Sequence, residues 1–356
     1  MKLSRLGEFG LIENAKDTFK SLNKNIVVGI GDDCAAIKPR KGFLLIATTD
    51  ALVEGIHFNL DYIEPYQLGV KSVYINLSDI AAMGGIPLYA LLSIVVPPSF
   101  SVKFMDDFLK GVKEGAQKYK VSVIGGNVSS SKNEFSINIT LLGEIEKKYI
   151  VLRKGAKIGD KIFVTGWLGD SAAGMEILKR SQKSEIRSQK ERKLIERHLM
   201  PYPRLKEGRF LAVKKIAASM IDISDGLASD IRRICEESKV GANLFIENIP
   251  LSKELKSLNP PSPPFLKGGM GGLDFALYGG EDYELLFTVR PDKIAKLMIL
   301  WKGMKIPITM IGEITKGGIN ITNKKGETTP LQREGYNHFS PLTPPLPFGE
   351  RRKDIM

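Results

Sequence analysis

Acidic side chains recur in this chain beside glycines and small hydroxyls, at the ends of short apolar runs. The first such stretch is Gly29-Ile30-Gly31-Asp32-Asp33-Cys34-Ala35-Ala36-Ile37, and the apolar run Leu44 to Ala47 then leads into Thr48-Thr49-Asp50. A short loop between two antiparallel strands would bring Asp33 and Asp50 within reach of one metal ion. Carboxylates so crowded repel each other: at an effective dielectric of about 20, two unit charges about 4 Å apart interact by roughly 4 kcal/mol. A hard cation relieves that cost, and Mg²⁺ favours carboxylate oxygens together with substrate phosphates. A plain polar hairpin turn, which glycine and aspartate also favour, accounts for this segment equally well.

The theme returns four times. Asn76-Leu77-Ser78-Asp79-Ile80-Ala81-Ala82-Met83 puts an acid among small and apolar neighbours. Gly125-Gly126-Asn127-Val128-Ser129-Ser130 reads as a glycine turn with short polar side chains. Ser219-Met220-Ile221-Asp222-Ile223-Ser224-Asp225-Gly226-Leu227 brings two acids and a hydroxyl at the end of a short apolar strand. Ser224 or Asp225 could serve simply as a helix N-cap, but a cap does not explain Asp222 inside the strand. Tyr278-Gly279-Gly280-Glu281-Asp282-Tyr283-Glu284 sets two glycines before acids, as where a backbone closely approaches something bulky or charged. The strand, glycine turn and helix start from Lys161 to Gly174 can aim backbone N–H groups at an anion, or form a tight turn and nothing more.

The elements that must position these residues are legible in outline. Periodicity predicts helices over 5–22, 66–83, 102–119 and 228–238. Strands are predicted over 26–30, 43–47, 89–96, 121–124, 135–143 and 285–289, with Gly84-Gly85 stopping the second helix. Strands interrupted by two helices favour a mixed α+β sheet with its helices on one face. The expected organisation is a first domain over 1–145 and a second over 146–340. The low-complexity Pro/Gly run 259–272 reads as an insert and 341–356 as a disordered tail.

Composition narrows the function classes. The 356 residues are 43% hydrophobic, enough for substantial cores. A formal net charge of +12 suits anionic ligands of any kind. Part of it is local: Arg180 to Lys193 holds six basic residues against two glutamates. No aromatic residue is interleaved there for base stacking, so a solvated helix end is expected rather than a nucleic-acid surface. The two cysteines stand far apart in no metal-ligand spacing, and no run is long enough for a membrane span. A cytoplasmic protein without nucleic-acid or membrane partners is expected. No Gly-x-x-x-x-Gly-Lys-Ser/Thr loop is present, which disfavours a P-loop kinase.

Taken in order, Gly-Ile-Gly-Asp-Asp-Cys-Ala, Thr-Thr-Asp-Ala-Leu-Val-Glu-Gly-Ile-His-Phe, Asn-Leu-Ser-Asp-Ile-Ala-Ala-Met-Gly, Ile-Asp-Ile-Ser-Asp-Gly-Leu and Gly-Gly-Glu-Asp-Tyr-Glu closely resemble the thiamine-monophosphate kinase family. The resemblance runs from about Gly7 to Phe339, and places the chain in the ATP-binding superfamily of aminoimidazole ribonucleotide synthetase. It implies a two-domain α+β fold whose N-terminal mixed sheets form a barrel across a homodimer, with a C-terminal α/β domain. It implies transfer of a phosphoryl group from ATP to thiamine monophosphate, giving thiamine diphosphate, assisted by several Mg²⁺ ions. Carried over residue by residue, Asp33, Asp50, Asp79, Asp222 and Asp225 match metal-binding acids, and Thr48 and Thr49 match positions that help hold the ions. Gly126 and Asn127 match the turn contacting nucleotide and metal, while Arg153 and Ser224 match ATP contacts. His57, Glu281 and Arg333 match substrate-binding positions. Asn127 stands where many members have aspartate, and Arg333 where some have an aromatic residue.

The chemistry needs no covalent nucleophile and no general base. A phosphate monoester has its second pKa near about 6 and is largely dianionic at neutral pH. What it requires is alignment with the γ-phosphate and cancellation of charge. Another synthetase or kinase of the same superfamily is the main alternative, and a basic nucleic-acid-binding protein the alternative from a different class.

Overall fold

The structure is a computed structural model describing residues 26–28, 35–180, 188–258, 271–331 and 335. The predicted helix over 5–22, the tail from 341, most of the Pro/Gly run, Asp33 and Arg333 lie outside the described residues.

Two sheets are present. The first takes β1 (Ile26–Val28), β2 (Ala35–Arg40), β3 (Phe43–Val53), β4 (Ile86–Val96), β5 (Ser122–Ser130) and β6 (Ser136–Glu146) in the order β1-β2-β3-β6-β4-β5. All its pairings are antiparallel except β4 with β5. The second takes β7 (Lys161–Thr165), β8 (Ala217–Asp222), β9 (Gly241–Phe245), β10 (Leu285–Val289), β11 (Ile308–Thr315), β12 (Ile319–Thr322) and β13 (Thr328–Pro330) in the order β13-β12-β9-β11-β7-β10-β8.

Helices α1 (Pro65–Ala82) and α2 (Val102–Lys118) pack on the first sheet, and α1 is the centre of the molecule. Fourteen of its eighteen residues are buried, because the helix also meets the second domain. Leu68, Leu77 and Ile80 share one core with Ile46 and Ile139 of the first sheet and with Phe163, Met220 and Phe287 of the second. The other face of the second sheet is covered by α6 (Leu227–Ser238) and α8 (Gly272–Tyr278). Before them come α3 (Asp170–Arg180), α4 (Gln189–Leu199) and α5 (Leu205–Val213). The short α7 (Lys253–Leu258) and, near the end, α9 (Ile294–Trp301) complete the helices among the described residues.

Burial on two sides explains the all-apolar strands. In β7, Phe163 faces the α1 core while Ile162 and Val164 face the α6 core; in β10, Leu285, Phe287 and Val289 face one way and Leu286 the other. Strands covered on both faces lose the alternation expected of a half-exposed sheet.

One local expectation is overturned. Gly125 to Ser130 is not a turn; it continues β5 alongside β4. A Cβ on Gly126 would lie 1.8 Å from the Leu92 carbonyl oxygen. The glycine lets two backbones approach within a sheet, a role its sequence context shares with a turn.

Candidate functional site

Strands β3 and β8 both deliver polar side chains to one stretch of α1. Thr48 is nearly buried on β3, and its hydroxyl donates a short hydrogen bond to Asp79 Oδ2 on α1. One residue earlier on α1, Ser78 Oγ donates to Asp222 Oδ2 at 2.6 Å. Asp222, the last residue of β8, is 2% exposed. Adjacent residues of α1 therefore make one hydroxyl–carboxylate contact with the first sheet and one with the second.

The turn after β8 is tied to the Gly-Gly-Glu-Asp-Tyr-Glu loop by backbone bonds. Glu281 N donates to Ser224 O at 2.7 Å, Tyr283 N to Ile223 O at 2.9 Å, and Ile223 N to Glu284 O at 2.8 Å. Gly280 has a positive φ of 72°, and a Cβ there would meet the Ser224 carbonyl at 2.6 Å. Neither Ser224 nor Asp225 caps α6; the N-cap is Gly226, without a side-chain cap bond. Instead Asp225 N donates to Asp230 Oδ2 at 3.2 Å, and the Asp225 carboxylate takes a short bond from Arg233. Asp230 is fully buried, and its carboxyl is pushed well up by burial, with Asp225 and Asp222 adding to the rise and Arg233 opposing it.

Tyr283 reports the convergence. Its phenol is pushed well up, first by burial and then by the negative charges of Glu281, Asp50, Asp222 and Asp225. Asp50 of β3, both acids of the β8 turn and Glu281 thus act on one buried ring. Two residues of this loop, Glu281 at φ 56° and Tyr283 at φ 51°, are non-glycines in the left-handed region. Such strain collects where surrounding structure over-determines a functional loop.

The three acids of the loop do different things. Asp282 accepts from Gly169 N at 2.8 Å and Ser171 N at 3.4 Å, so it caps the turn into α3. Glu284 accepts from Thr165 Oγ1 at 2.7 Å, Arg197 at 2.7 Å and Arg204 Nε at 2.6 Å, wholly buried. Glu281 Oε2 meets Lys71 Nζ at 3.2 Å and His198 Nδ1 at 3.1 Å. Burial alone would push the Glu281 carboxyl up, but Lys71 and His198 outweigh it and hold the group well below the usual carboxylate range.

Strand alternation divides the remaining expected residues. Thr48 and Asp50 share one face of β3, towards α1, and Thr49 takes the other. There Thr49 Oγ1 meets Asn138 Oδ1 and Thr140 Oγ1, both at 3.1 Å. Asn138 is paired with Ser93, and Ser93 with Asn127, so the side chains of Thr49 and Asn127 belong to a polar row across the outer face of the sheet. They are not brought to the Thr48–Asp79 pair. Gly126 is the neighbour of Asn127 on exposed β5. The Arg153 carbonyl accepts from Ser238 Oγ at 3.4 Å, and the preceding Leu152 carbonyl accepts from Met220 N, two residues before Asp222. His57 closes a turn in which its Nδ1 accepts from Val53 N at 3.0 Å, leaving the proton of the neutral ring on Nε2.

Sequence reasoning found neither Lys71 nor His198 as a site residue. A lysine amid the otherwise apolar and small residues of α1 was the available signal. Trp167 is exposed, while Trp301 is buried and donates Nε1–H to Ile306 O at 2.7 Å.

The donor set around α1 is all oxygen, as a hard cation prefers. Among the described residues no group of three or more His, Cys, Asp or Glu side chains gathers closely enough to hold an ion alone. Among the described residues, no helix is long and apolar enough to cross a membrane.

Comparison with known proteins places this arrangement. The family descriptions "AIR synthase related protein, N-terminal domain" and "AIR synthase related protein, C-terminal domain" match residues 31–145 and 157–323. Thiamine-monophosphate kinase of Buchnera aphidicola (subsp. Schizaphis graminum) is 42% identical, covering 93% of this chain and 98% of its own. That of Aquifex aeolicus is 38% identical, covering 95% and 100%. The chain belongs to the thiamine-monophosphate kinase family. Like the other members it is an enzyme, a phosphotransferase by the name the family carries. A solved structure of AaThiL complexed with AMPPCP and TMP superposes with a TM-score of 0.80 at 37% identity, over 95% of this chain and 99% of that one. Hydrogenase maturation protein HypE from Escherichia coli, at 15% identity and a TM-score of 0.66, shares the fold.

Proposed function

We propose that this chain transfers the γ-phosphoryl group of ATP directly to the phosphate of thiamine monophosphate, giving ADP and thiamine diphosphate. The observation that carries this reading is that adjacent residues of α1, Ser78 and Asp79, bond Asp222 of β8 and Thr48 of β3, while the turn after β8 is tied at Ser224 to Glu281. It is supported by the 42% identity to a thiamine-monophosphate kinase, and by the relative solved with AMPPCP and TMP. Several Mg²⁺ ions, when bound, would neutralise charge between the two phosphate groups. Asp33, Asp50, Asp79, Asp222 and Asp225 would hold them, with Thr48; the side chains of Thr49 and Asn127, on the outer face, are not assigned to these ions.

The chain's own residues then orient and exclude. Gly126, Asn127, Arg153 and Ser224 are assigned to ATP, and His57, Glu281 and Arg333 to thiamine monophosphate. The attacking phosphate oxygen is already charged, so no side chain need remove a proton. In-line attack requires only that the two phosphates be held end to end, and most of the rate gain comes from that positioning. The deciding assay is ADP release from ATP and Mg²⁺ with thiamine monophosphate, set against aminoimidazole ribonucleotide precursors. ADP release that depends on thiamine monophosphate supports the reading; release only with the other acceptors sinks it.

The same reading includes a homodimer with the N-terminal sheets joined into a barrel. β5 is an edge strand, and it exposes Val123, Ile124 and Val128, the last at 73%. An apolar edge of this length invites pairing or aggregation unless it is covered. Light scattering should therefore give twice the chain mass. Val128→Lys should shift the protein towards monomer, whereas a wild-type monomer at micromolar concentration would refute the barrel.

A further inference from the structure

Helix α1 holds the second domain at two points seven residues apart. Lys71 meets Glu281, and Ser78 meets Asp222. Seven residues are two helical turns, about 10 Å along the axis and nearly on one face. One contact thus fixes the β8 acids and the other fixes Glu281, on a single rigid element.

Stability alone does not account for the first contact. The Lys71 side chain is 1% exposed. Burying a charged pair costs desolvation that its attraction often fails to recover, and well-packed apolar replacements are often as stable. The geometry is also one-sided. Lys71 Nζ and His198 Nδ1 both meet Oε2 of Glu281, at 3.2 Å and 3.1 Å. A carboxylate only accepts, so the neutral His198 ring carries its proton on Nδ1 and donates it. Burial and the nearby Lys71 charge disfavour a second proton on that ring. Ser171 Oγ also lies 3.1 Å from Nδ1. The Glu281 side chain remains 26% exposed. The Tyr62 ring lies 6.5 Å from that of His198, and its buried hydroxyl has no hydrogen-bond partner among the described residues. The charge of Glu281, after burial, is the leading cause of that phenol's raised pKa. With Oε2 taken by two donors and the side chain still partly exposed, Glu281 keeps Oε1 to offer a ligand group.

We propose that Lys71 and His198 are positioning residues for acceptor recognition: they saturate Oε2 of Glu281 and turn Oε1 towards an N–H donor of the acceptor, the exocyclic amine of an aminopyrimidine. This rests on the functional reading above and names the part of the acceptor that Glu281 selects. Lys71 and His198 touch no substrate themselves.

Steady-state kinetics of the full chain test it, with thiamine monophosphate and its oxythiamine counterpart, in which a carbonyl replaces the amine. Leaving a buried partner unpaired is expected to cost wild-type enzyme at least about tenfold in kcat/KM with the oxy compound. Lys71→Met is expected to raise KM for thiamine monophosphate about tenfold or more, with KM for ATP moving less than about twofold and the preference for the amine largely lost. His198→Asn should show the same pattern more weakly. Lys71→Met combined with Glu281→Gln leaves no charge unpaired, and should discriminate no worse than Glu281→Gln alone. A double variant clearly worse than that, an equal rise in both KM values, or preference retained in Lys71→Met overturns the proposal. Wild-type enzyme active on both acceptors without preference overturns it too, while leaving the kinase reading intact. Wild-type enzyme inactive on thiamine monophosphate instead overturns that reading, and the subsite with it.

Discussion

Asp222→Asn is expected to lower kcat/KM for phosphoryl transfer by about 10³-fold, at the upper end for loss of one preorganised electrostatic group, while leaving the fold intact. The two effects separate because the substitution is nearly isosteric. Asparagine keeps an oxygen for Ser78 Oγ, which donates to Asp222 Oδ2 at 2.6 Å. The charge is what disappears. Asp222 is 2% exposed and stands among other acids: it contributes to the raised carboxyl of Asp230 and the raised phenol of Tyr283. Removing one negative charge from such a group relieves repulsion, so the thermal midpoint should hold or rise. Without that charge, the proposed Mg²⁺ ions lose a ligand at the place where both phosphates must meet. Asp50→Asn should behave alike, since Asp50 acts on the same ring from β3. Activity and melting are measured on the same preparation. Activity within tenfold of wild type, in a folded Asp222→Asn protein, would refute the role given to these acids.

The chain announces its acids more clearly than the residues that position them. β10 spans Leu285–Val289 as periodicity predicts, and α1 ends just before Gly84-Gly85, because long apolar runs and paired glycines leave few alternatives. Glycine inside a strand is ambiguous: Gly125-Gly126 serves close approach to β4, and only the partner strand reveals it. The sidedness of Thr48 and Thr49 follows from strand alternation, but which side carries α1 does not. Lys71 and His198 are separated from Glu281 by 210 and 83 residues, so local pattern gives no hint of their meeting. Gly-Gly-Glu-Asp-Tyr-Glu looks like one acidic motif. In the fold it divides into a residue facing α1, a cap for α3 and a buried anchor for two arginines.

That anchor gives the largest expected effect on stability. Glu284→Gln should destabilise the protein by about 3–5 kcal/mol, the cost of breaking a buried pair by removing one partner. For a domain of this size that is roughly 6–20 °C in the thermal midpoint. The Glu284 carboxylate is 0% exposed and accepts from Arg197, Arg204 and Thr165, whereas Arg204 is 5% exposed and has little access to water. Glutamine removes the charge and sets an NH₂ group against a guanidinium, donor against donor. The surface pair Lys161–Glu313 is the control. Its 2.6 Å separation is as short, but its side chains are 29% and 38% exposed. Glu313→Gln should therefore change stability by less than about 1 kcal/mol. Burial, not distance, decides between the two. Denaturant unfolding of both variants checks this, and similar losses in each would show that Glu284 is not the anchor its surroundings describe. Because Glu284 O also accepts from Ile223 N, weakening the anchor should loosen the β8 turn. Activity in Glu284→Gln is accordingly expected to fall at temperatures below its new midpoint, through displaced Asp222 and Asp225 rather than through any contact of Glu284 with substrate.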